Sequence, residues 1–289
     1  MLAPLLLACL TCMEAAYTPA LAADANPAAA LRARFAALGN KLANSPFDRP
    51  LHLDSTESST SVRGDVFALV DHPFAEVQAA FNGPARWCEV LILHINTKFC
   101  ATATTAAGTV LTLNIGKKTD EPLQETTRVD FDFNVAAATP EYLAVQLRAD
   151  RGPLSTSDYR ILLEAVPAEG GKTILHLTYS YGFGATGRLA MQVYLATAGR
   201  GKVGFTATGR QADGKPDYIG GVRGVVERNT MRYFRAIDAY LSAPLRFETR
   251  VQNWYDATEN YPRQLHEVER SAYLEMKRRE YQRQQAALK

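Results

Sequence analysis

Apolar and polar residues alternate through the middle of the chain. Between residues 128 and 136 every second side chain is apolar, and the positions between them include Asp130 and Asp132. A period of two residues is that of a β-strand with one buried and one solvated face, so we expect both aspartates, and His176 on a later strand, to face water. Strand-like patterns also cover residues 61–70, 95–105, 109–116, 142–149, 157–166, 172–183 and 202–208. Short strands joined by turns predict an antiparallel sheet.

Helical spacing replaces this alternation elsewhere. Helices are predicted over residues 27–44, 74–81, 85–93, 187–197 and 222–241. On the last and longest helix, Arg228, Arg232 and Arg235 form a stripe that we expect to face solvent. The charged tail, residues 246–289, has a narrow apolar stripe and is predicted to lie outside the domain as helices that fray from about Arg278. Two polar segments, residues 54–60 and 211–217, are predicted to be a linker and a loop.

Three segments carry a resemblance to a known superfamily. They are residues 71–77 (DHPFAEV), residues 83–88 (GPARWC) and the long helix 221–241. With this order of elements, the chain resembles the START-like, helix-grip (SRPBCC) superfamily of lipid-transfer domains, polyketide cyclases and plant ligand-binding allergens. The resemblance implies an α+β fold, in which a curved antiparallel sheet wraps around a long C-terminal helix, here with helical extensions at both ends. Residues 184–220 are an insertion relative to the simplest version of that fold.

A helix-grip arrangement leaves room for a ligand. A curved sheet cannot touch a long helix along its whole length, so a mostly apolar cavity is expected between them. The candidate ligand-binding residues are Trp87, Phe131, Phe133, Tyr159, Leu177, Tyr179, Tyr181, Tyr233 and Ile237. Tyrosine combines an apolar ring with a hydrogen-bonding tip, which suits an amphipathic ligand. A solid core built from the same side chains is the alternative interpretation.

Charge and motifs argue against several functions. The net charge is only +2, from 32 basic and 30 acidic residues, so no strong basic field favours nucleic acid. Residues 182–187 match the dinucleotide pattern G-x-G-x-x-G, but the flanking strands are predicted to be antiparallel, and no acidic residue lies between Gly187 and Asp213. We interpret these glycines as turn residues. The sequence predicts no catalytic residue, no cofactor and no metal site.

The first residues have the pattern of a secretory signal. Residues 2–13 are mostly apolar, and Ala20-Leu21-Ala22 has the small-x-small form that signal peptidase accepts, although no Lys or Arg precedes the apolar run. Cleavage near Ala22 would leave only Cys88 and Cys100, and an even pair in an exported chain predicts a disulfide. Two buried free thiols are the alternative. The predicted organisation is a signal peptide (1–23), an N-terminal helix and linker (24–58), a ligand-binding domain (59–243) and a C-terminal helical extension (244–289).

Three functions are compatible with these features. The leading hypothesis is a periplasmic or secreted, non-catalytic protein that binds or transports a small hydrophobic or lipid-like ligand, with peripheral membrane contact and no nucleic-acid partner. The second is an enzyme of the polyketide cyclase or aromatase type, which would act in the same cavity with Tyr159, Tyr179 and Arg223 as polar groups. The third is an interaction module that uses the charged C-terminal helices.

Overall fold

The computed structural model of the protein describes residues 26–197 and 199–287 and contains one large antiparallel sheet. The predicted signal peptide lies outside the described residues. The strands of the sheet are β1 (Leu51–Glu57), β2 (Ser61–Val70), β3 (Thr97–Thr105), β4 (Gly108–Ile115), β5 (Thr127–Thr139), β6 (Tyr142–Arg151), β7 (Thr156–Ala168) and β8 (Lys172–Phe183). Their order is β1-β2-β8-β7-β6-β5-β4-β3, and all neighbouring strands are antiparallel.

Helices pack on both faces of this sheet. They are α1 (Pro27–Ala37), α2 (Gly39–Ala43), α3 (Phe74–Phe81), α4 (Pro84–Leu91), α5 (Ala185–Ala196), α6 (Gly221–Ser242), α7 (Phe247–Glu259), α8 (Pro262–Leu265) and α9 (Arg270–Ala286). The long helix α6 packs on β1, β2 and β8, on what we call the inner face, and α1 packs on β7 and β8 from the outer face. This architecture confirms the predicted α+β helix-grip fold.

Local sequence explains where elements begin and turn. Asn26 caps α1, since its Oδ1 accepts a hydrogen bond from the backbone N–H of Ala29 at 3.0 Å, and Pro27 occupies the first helical position. Gly170 and Gly171 both have φ of +69° in the turn that joins β7 to β8. This left-handed conformation favours glycine because it has no Cβ atom.

Residues 54–60 are not a linker. Most of them belong to the edge strand β1, which pairs with β2, so the sheet begins at residue 51 rather than at residue 61. Leu51 and Leu53 are buried, whereas Asp54 and Thr56 are exposed. The strand is polar because one side of it faces water at the sheet edge.

A second difference concerns the insertion between β8 and α6. The sequence predicted one strand over residues 202–208 and a polar loop over residues 211–217. The structure instead has a separate hairpin of β9 (Ala207–Arg210) and β10 (Pro216–Tyr218). Both of its strands are largely exposed, which explains why no clear alternation of apolar residues reveals them.

The polar face of the sheet is solvated only in part. Asp130 and Asp132 of β5 are exposed, as predicted. The expectation that His176 faces water is wrong, because Phe67 stacks on its ring and α1 packs over this part of the sheet. Strand β8 is therefore buried on both faces.

The C-terminal helices belong to the core and do not lie outside the domain. Helix α9 continues well beyond Arg278, and Tyr273 and Glu280 on it are fully buried. Gln284, near its end, accepts a hydrogen bond through Oε1 from the backbone N–H of Cys100 on the edge strand β3 at 3.1 Å. Helix α9 therefore covers one edge of the sheet, and the predicted fraying of this segment is wrong.

The arginine stripe of α6 is buried by the same packing. Arg228, Arg232 and Arg235 are 2%, 2% and 0% exposed, so the expectation of a solvated stripe is wrong. Helices α7 and α8 lie against α6. Arg232 pairs with Glu267 at 2.6 Å, and Arg235 pairs with Asp48 at 3.0 Å. The polar face of α6 is thus covered by other segments of the chain, and the paired carboxylates come from Glu267 after α8 and from Asp48 before β1.

A disulfide joins Cys88 of α4 to Cys100 of β3, which confirms the predicted pairing. The two residues are 12 positions apart, and closing a loop of this length stabilises a fold by about 3 kcal/mol in the chain-entropy description. Within residues 26–197 and 199–287, no helix combines the length and the apolar character needed to cross a bilayer.

Candidate ligand-binding site

A cavity of about 210 Å³ lies between the inner face of the sheet and α6. Met191 and Tyr194 of α5 border it, together with Pro153 and Leu154 from the turn before β7. Leu154 lines the cavity and is nevertheless 55% exposed, so this side is the entrance. An engineered core cavity of about 150 Å³ holds benzene, and pockets for drug-sized molecules begin near 300 Å³. The volume therefore suits one substituted ring or a short chain.

Aromatic side chains form the apolar wall of the cavity. They are Phe131 of β5, Tyr159 of β7, Tyr179 and Tyr181 of β8 and Tyr233 of α6. The ring centroids of Tyr159 and Tyr181 are 5.3 Å apart, and those of Tyr179 and Tyr233 are 5.1 Å apart. Pairs at these distances stabilise one another, so the wall is preformed.

The tyrosines of this wall remain neutral. Burial raises the pKa of Tyr159, Tyr179, Tyr181 and Tyr233 above the ordinary value. At Tyr181 the charge of nearby Arg228 opposes that rise in pKa without cancelling it. These hydroxyls therefore act as hydrogen-bonding groups and not as phenolates at physiological pH.

Polar and cationic side chains form a second wall. His94 and Asn96 come from the segment after α4, Lys118 follows β4, and Arg228, Asn229 and Arg232 come from α6. Buried polar groups in native proteins nearly always have hydrogen-bond partners. Four atoms at the cavity have none among the described residues: His94 Nε2, Tyr181 Oη, Arg228 Nε and Arg232 Nε.

The tautomer of His94 is defined by its neighbour. Its Nδ1 accepts a hydrogen bond from the backbone N–H of Asn96 at 3.3 Å, which assigns the ring proton to Nε2. Burial, together with the charges of Arg232 and Lys277, holds the pKa of His94 well below its ordinary value. The ring is thus neutral, and it stacks on Tyr233 with centroids 4.6 Å apart. Its Nε2–H is a donor with no acceptor among the described residues.

Cations outnumber carboxylates at the polar wall. Glu267 accepts a hydrogen bond from Arg232 at 2.6 Å and lies 2.7 Å from Lys118 Nζ. Burial alone would raise the pKa of Glu267, but these cations lower it to about 2, so the carboxylate is ionised. Arg228 has no such partner in the described part of the chain. Its Nη1 donates only to the carbonyl oxygen of Val203, at 3.3 Å.

Five of the nine predicted ligand-binding residues line this cavity, namely Phe131, Tyr159, Tyr179, Tyr181 and Tyr233. The other four do not. Trp87 packs on Phe81 and donates from Nε1 to its carbonyl oxygen at 3.0 Å. Leu177 and Ile237 are buried in solid core, and Phe133 packs against its edge.

The cavity spans only one end of α6, which explains these differences. The lining residues of α6 run from Val225 to Tyr233, so Ile237, one turn later, packs into the core. Arg223, a polar group of the enzyme hypothesis, lies outside the lining and donates from Nε to Ser55 Oγ at 3.0 Å.

Sequence reasoning did not identify the polar wall. His94 and Lys118 lie in connecting segments, where no periodicity marks a side chain as buried. Arg228 and Arg232 are one turn apart on a helix, a spacing that equally fits a solvated face. One signal in the sequence was the aromatic content of the tail, including Trp254. Large aromatic rings are usually buried, so they indicate that the tail packs on the domain and can cover the arginines of α6.

A different buried polar cluster lies on the outer face of the sheet. His176 Nε2 is 2.7 Å from Asp65 Oδ1, and His176 Nδ1 is 2.7 Å from Glu164 Oε2. Arg34 of α1 pairs with Glu164 at 3.0 Å, and Arg63 pairs with Asp65 at 2.6 Å. The cluster therefore joins α1 to three neighbouring strands.

The groups of this outer cluster hold each other in their charged forms. Burial would lower the pKa of His176, but hydrogen bonds to Asp65 and Glu164 raise it. Burial would raise the pKa of Glu164, but its bonds to His176 and Tyr142 lower it to about 2. The pKa of Asp65 is lowered in the same way. Since each ionised group contacts an opposite charge, we expect this cluster to stabilise the folded state.

Comparison with known proteins yields distant structural similarity only. No protein-family profile and no curated protein sequence matches this chain. The Zhui aromatase/cyclase from Streptomyces sp. R1128 is 13% identical, with a TM-score of 0.39 over 68% of this chain and 97% of that protein. Norcoclaurine synthase from Thalictrum flavum is 13% identical, with a TM-score of 0.35 over 49% and 86%. Ara h 8.0201 is 10% identical, with a TM-score of 0.37 over 67% and 99%.

Proposed function

We propose that this protein binds a small aromatic or short amphipathic molecule in the cavity between the sheet and α6. The observation that carries this proposal is a preformed aromatic wall facing buried donors that have no acceptor within residues 26–197 and 199–287. Ring faces supply apolar contact area, and a few convergent polar groups orient a ligand, as in small-molecule sites generally. A volume of about 210 Å³ favours a ligand of this size over a two-chain lipid.

We propose a binding role in preference to catalysis. The cavity tyrosines hold their protons because burial raises their pKa values. His94 is a weak base, with its Nδ1 engaged by Asn96 and its proton on Nε2. Neither kind of group is therefore suited to accept a proton from a bound molecule near neutral pH.

The entrance is also where membrane contact would occur. Leu189 and Val193 lie one turn apart on α5 and are 62% and 56% exposed. Helix α5 contacts the turn that contains Leu154. In a vesicle flotation assay, membrane contact predicts co-flotation of the wild type and weaker co-flotation of the Leu189→Ser, Val193→Ser variant. Wild-type protein that stays entirely in the bottom fraction would contradict this part of the proposal.

We further propose that the chain is exported. The Cys88–Cys100 disulfide favours an oxidising compartment, and the first residues have a signal-like pattern. Mass spectrometry of the protein from its own host should find a mature N-terminus near Asp24. A cytoplasmic protein that retains Met1, with Cys88 and Cys100 as free thiols, would overturn this proposal.

Cavity filling provides the main test of binding. Val225 lines the cavity, whereas Leu245 is almost fully exposed elsewhere. Native mass spectrometry should detect a bound small molecule on the wild type and on Leu245→Phe, and none on Val225→Phe. Calorimetric titration with the neutral probe cinnamamide should show affinity reduced at least tenfold by Val225→Phe. Equal behaviour of all three proteins, after circular dichroism has confirmed that they fold, would contradict the proposal.

A further inference from the structure

We infer that the ligand carries an acid group, and that Arg228 binds this group as its counter-ion. The inference deepens the proposed function and rests on it. It assigns one end of the cavity to a carboxylate or a similar anionic group, and the aromatic wall to the apolar body of the same molecule.

The position of Arg228 is the first argument. Its side chain is almost fully buried, its Nε has no partner among the described residues, and its only hydrogen bond is the 3.3 Å contact of Nη1 with the carbonyl oxygen of Val203. Glu227, the next residue along the chain, is occupied elsewhere: it accepts hydrogen bonds from Ser55 Oγ at 2.6 Å and Thr206 Oγ1 at 2.7 Å. A buried guanidinium without a counter-ion is costly, so an anion in the adjacent cavity would stabilise it.

The chemistry of the other unpartnered atoms is the second argument. The free groups of His94, Arg228 and Arg232 are all N–H donors, since the proton of His94 resides on Nε2. Tyr181 contributes a neutral hydroxyl that can donate as well. A carboxylate has two oxygens that only accept. Its planar form also matches the donor fork of a guanidinium, which makes the pair stronger than a neutral hydrogen bond.

The charge of the site is the third argument. Arg232 and Lys118 already share the ionised carboxylate of Glu267. Arg228 is the lining cation that no carboxylate of the described residues contacts. Lys202 also pairs with Glu267, at 2.7 Å, so the cations exceed the carboxylates even before Arg228 is counted. This excess of positive charge favours an anionic ligand.

A matched pair of probes tests this inference. Cinnamate and cinnamamide have nearly the same size and shape, but only cinnamate is charged at pH 7. By calorimetric titration, the wild type should bind cinnamate at least about tenfold more tightly, the scale expected for a charge-assisted hydrogen bond. Arg228→Met should abolish this preference while cinnamamide affinity stays within about twofold. Arg223→Met is the control on the same helix, outside the cavity lining, and should keep the preference.

The outcomes separate this inference from the proposed function. If the wild type binds both probes equally, the acid site is overturned and cavity binding stands. If neither probe binds, the proposed function itself fails. If Arg228→Met retains the preference, or Arg223→Met loses it equally, Arg228 is not the counter-ion. If Arg228→Met folds but binds neither probe, the Arg228→Lys variant is measured as well. A preference of Arg228→Lys for cinnamate over cinnamamide supports the inference, and the lack of such a preference overturns it.

Discussion

The sheet separates two buried polar clusters, one around His176 on the outer face and one around Arg228 in the cavity. In the outer cluster, each charged group contacts an opposite charge, with His176 placed 2.7 Å from both Asp65 and Glu164. In the cavity, Arg228 lacks a counter-ion among the described residues, and the donors of neighbouring side chains lack acceptors.

The difference separates stability from function, because the central residues His176 and Arg228 are both almost fully buried. A fully connected polar network rigidifies a structure, and removing one member leaves the others unpaired. Buried donors without partners instead lower the free energy of unfolding, and they remain available to bind an acceptor on a ligand. Ligand binding can offset that loss of stability. Burial of a charged residue therefore does not by itself distinguish the two roles, whereas its list of partners does.

The largest expected effect is that of His176→Leu. This change removes the cation that Asp65 and Glu164 share, although Arg63 and Arg34 still contact them. Breaking a buried ion pair from one side costs about 3 kcal/mol. Urea unfolding at pH 6 should show this loss in the free energy of unfolding, with cinnamamide affinity of the folded protein unchanged. A loss below about 1 kcal/mol would mean that the outer cluster does not stabilise the fold.

The pH dependence of stability should reveal the same cluster with a smaller effect. Because the pKa of His176 is raised in the folded state, its contribution is complete below about pH 6.5 and is lost as pH rises through the folded-state value. Because the pKa of Glu164 is lowered to about 2, its contribution is complete above about pH 4.5 and is lost as pH falls toward 2.

This dependence is measured as the difference between wild type and His176→Leu in urea unfolding at several pH values. The charged groups that face His176 are Asp65 on β2 and Glu164 on β7, with Arg63 and Arg34 beside them. The difference should shrink above neutral pH, by about 1.4 kcal/mol for each unit by which the pKa of His176 is raised. A difference that is constant from pH 5.5 to pH 9 would contradict the assigned charge of His176.

Substitution of Arg228 should not lower the free energy of unfolding in the way that substitution of His176 does. Arg228→Met removes an uncompensated buried charge and keeps the apolar stem, so the free energy of unfolding should rise or change by less than about 1 kcal/mol. Arg235→Met is the matched control, because Arg235 is equally buried but pairs with Asp48, and it should be clearly destabilised. Similar losses in both variants would show that Arg228 has a structural role.

The smallest effect concerns single hydroxyl groups. Tyr181→Phe removes an unpartnered Oη and should change stability by less than about 0.5 kcal/mol, with cinnamate affinity reduced a few-fold. Tyr273→Phe removes an Oη that donates to the carbonyl oxygen of Leu93 at 2.7 Å, and should cost about 1 kcal/mol. Equal costs in thermal unfolding would mean that the hydroxyl of Tyr181 is satisfied in the ligand-free protein.

Much of the fold could be predicted from the sequence, because strand and turn signals are local. The sequence predicts both ends of β8 correctly, at residues 172 and 183. The alternation of apolar and polar residues stops there, next to glycines of the adjoining turns. Strand β1 was missed, although buried Leu51 and Leu53 alternate with outward-facing residues. The polar residues from Asp54 onward hide this short alternation. They are tolerated in β1 because one side of a strand at the sheet edge can face solvent.

The site could be predicted only on its aromatic side. Tyr179 and Tyr181 follow from strand alternation, because residues two apart share a face. Arg232 does not follow, because its burial depends on Glu267, which lies 35 positions away in sequence. A sequence pattern gives the face of a helix on which a residue lies, and does not give the segment that covers that face.

The chain order of the polar wall has a consequence for synthesis on the ribosome. Glu267, which pairs with Lys118 and Arg232, is translated after both of them and after the whole sheet. Helix α9, which follows it, covers the edge strand β3. When the sheet and α6 have been synthesised, the nascent chain therefore still lacks the carboxylate of Glu267 at the polar wall. It also lacks helix α9, which covers the edge strand β3. We therefore expect the cavity to become competent to bind a ligand only after residues 267–286 have been synthesised and have packed onto the earlier part of the chain.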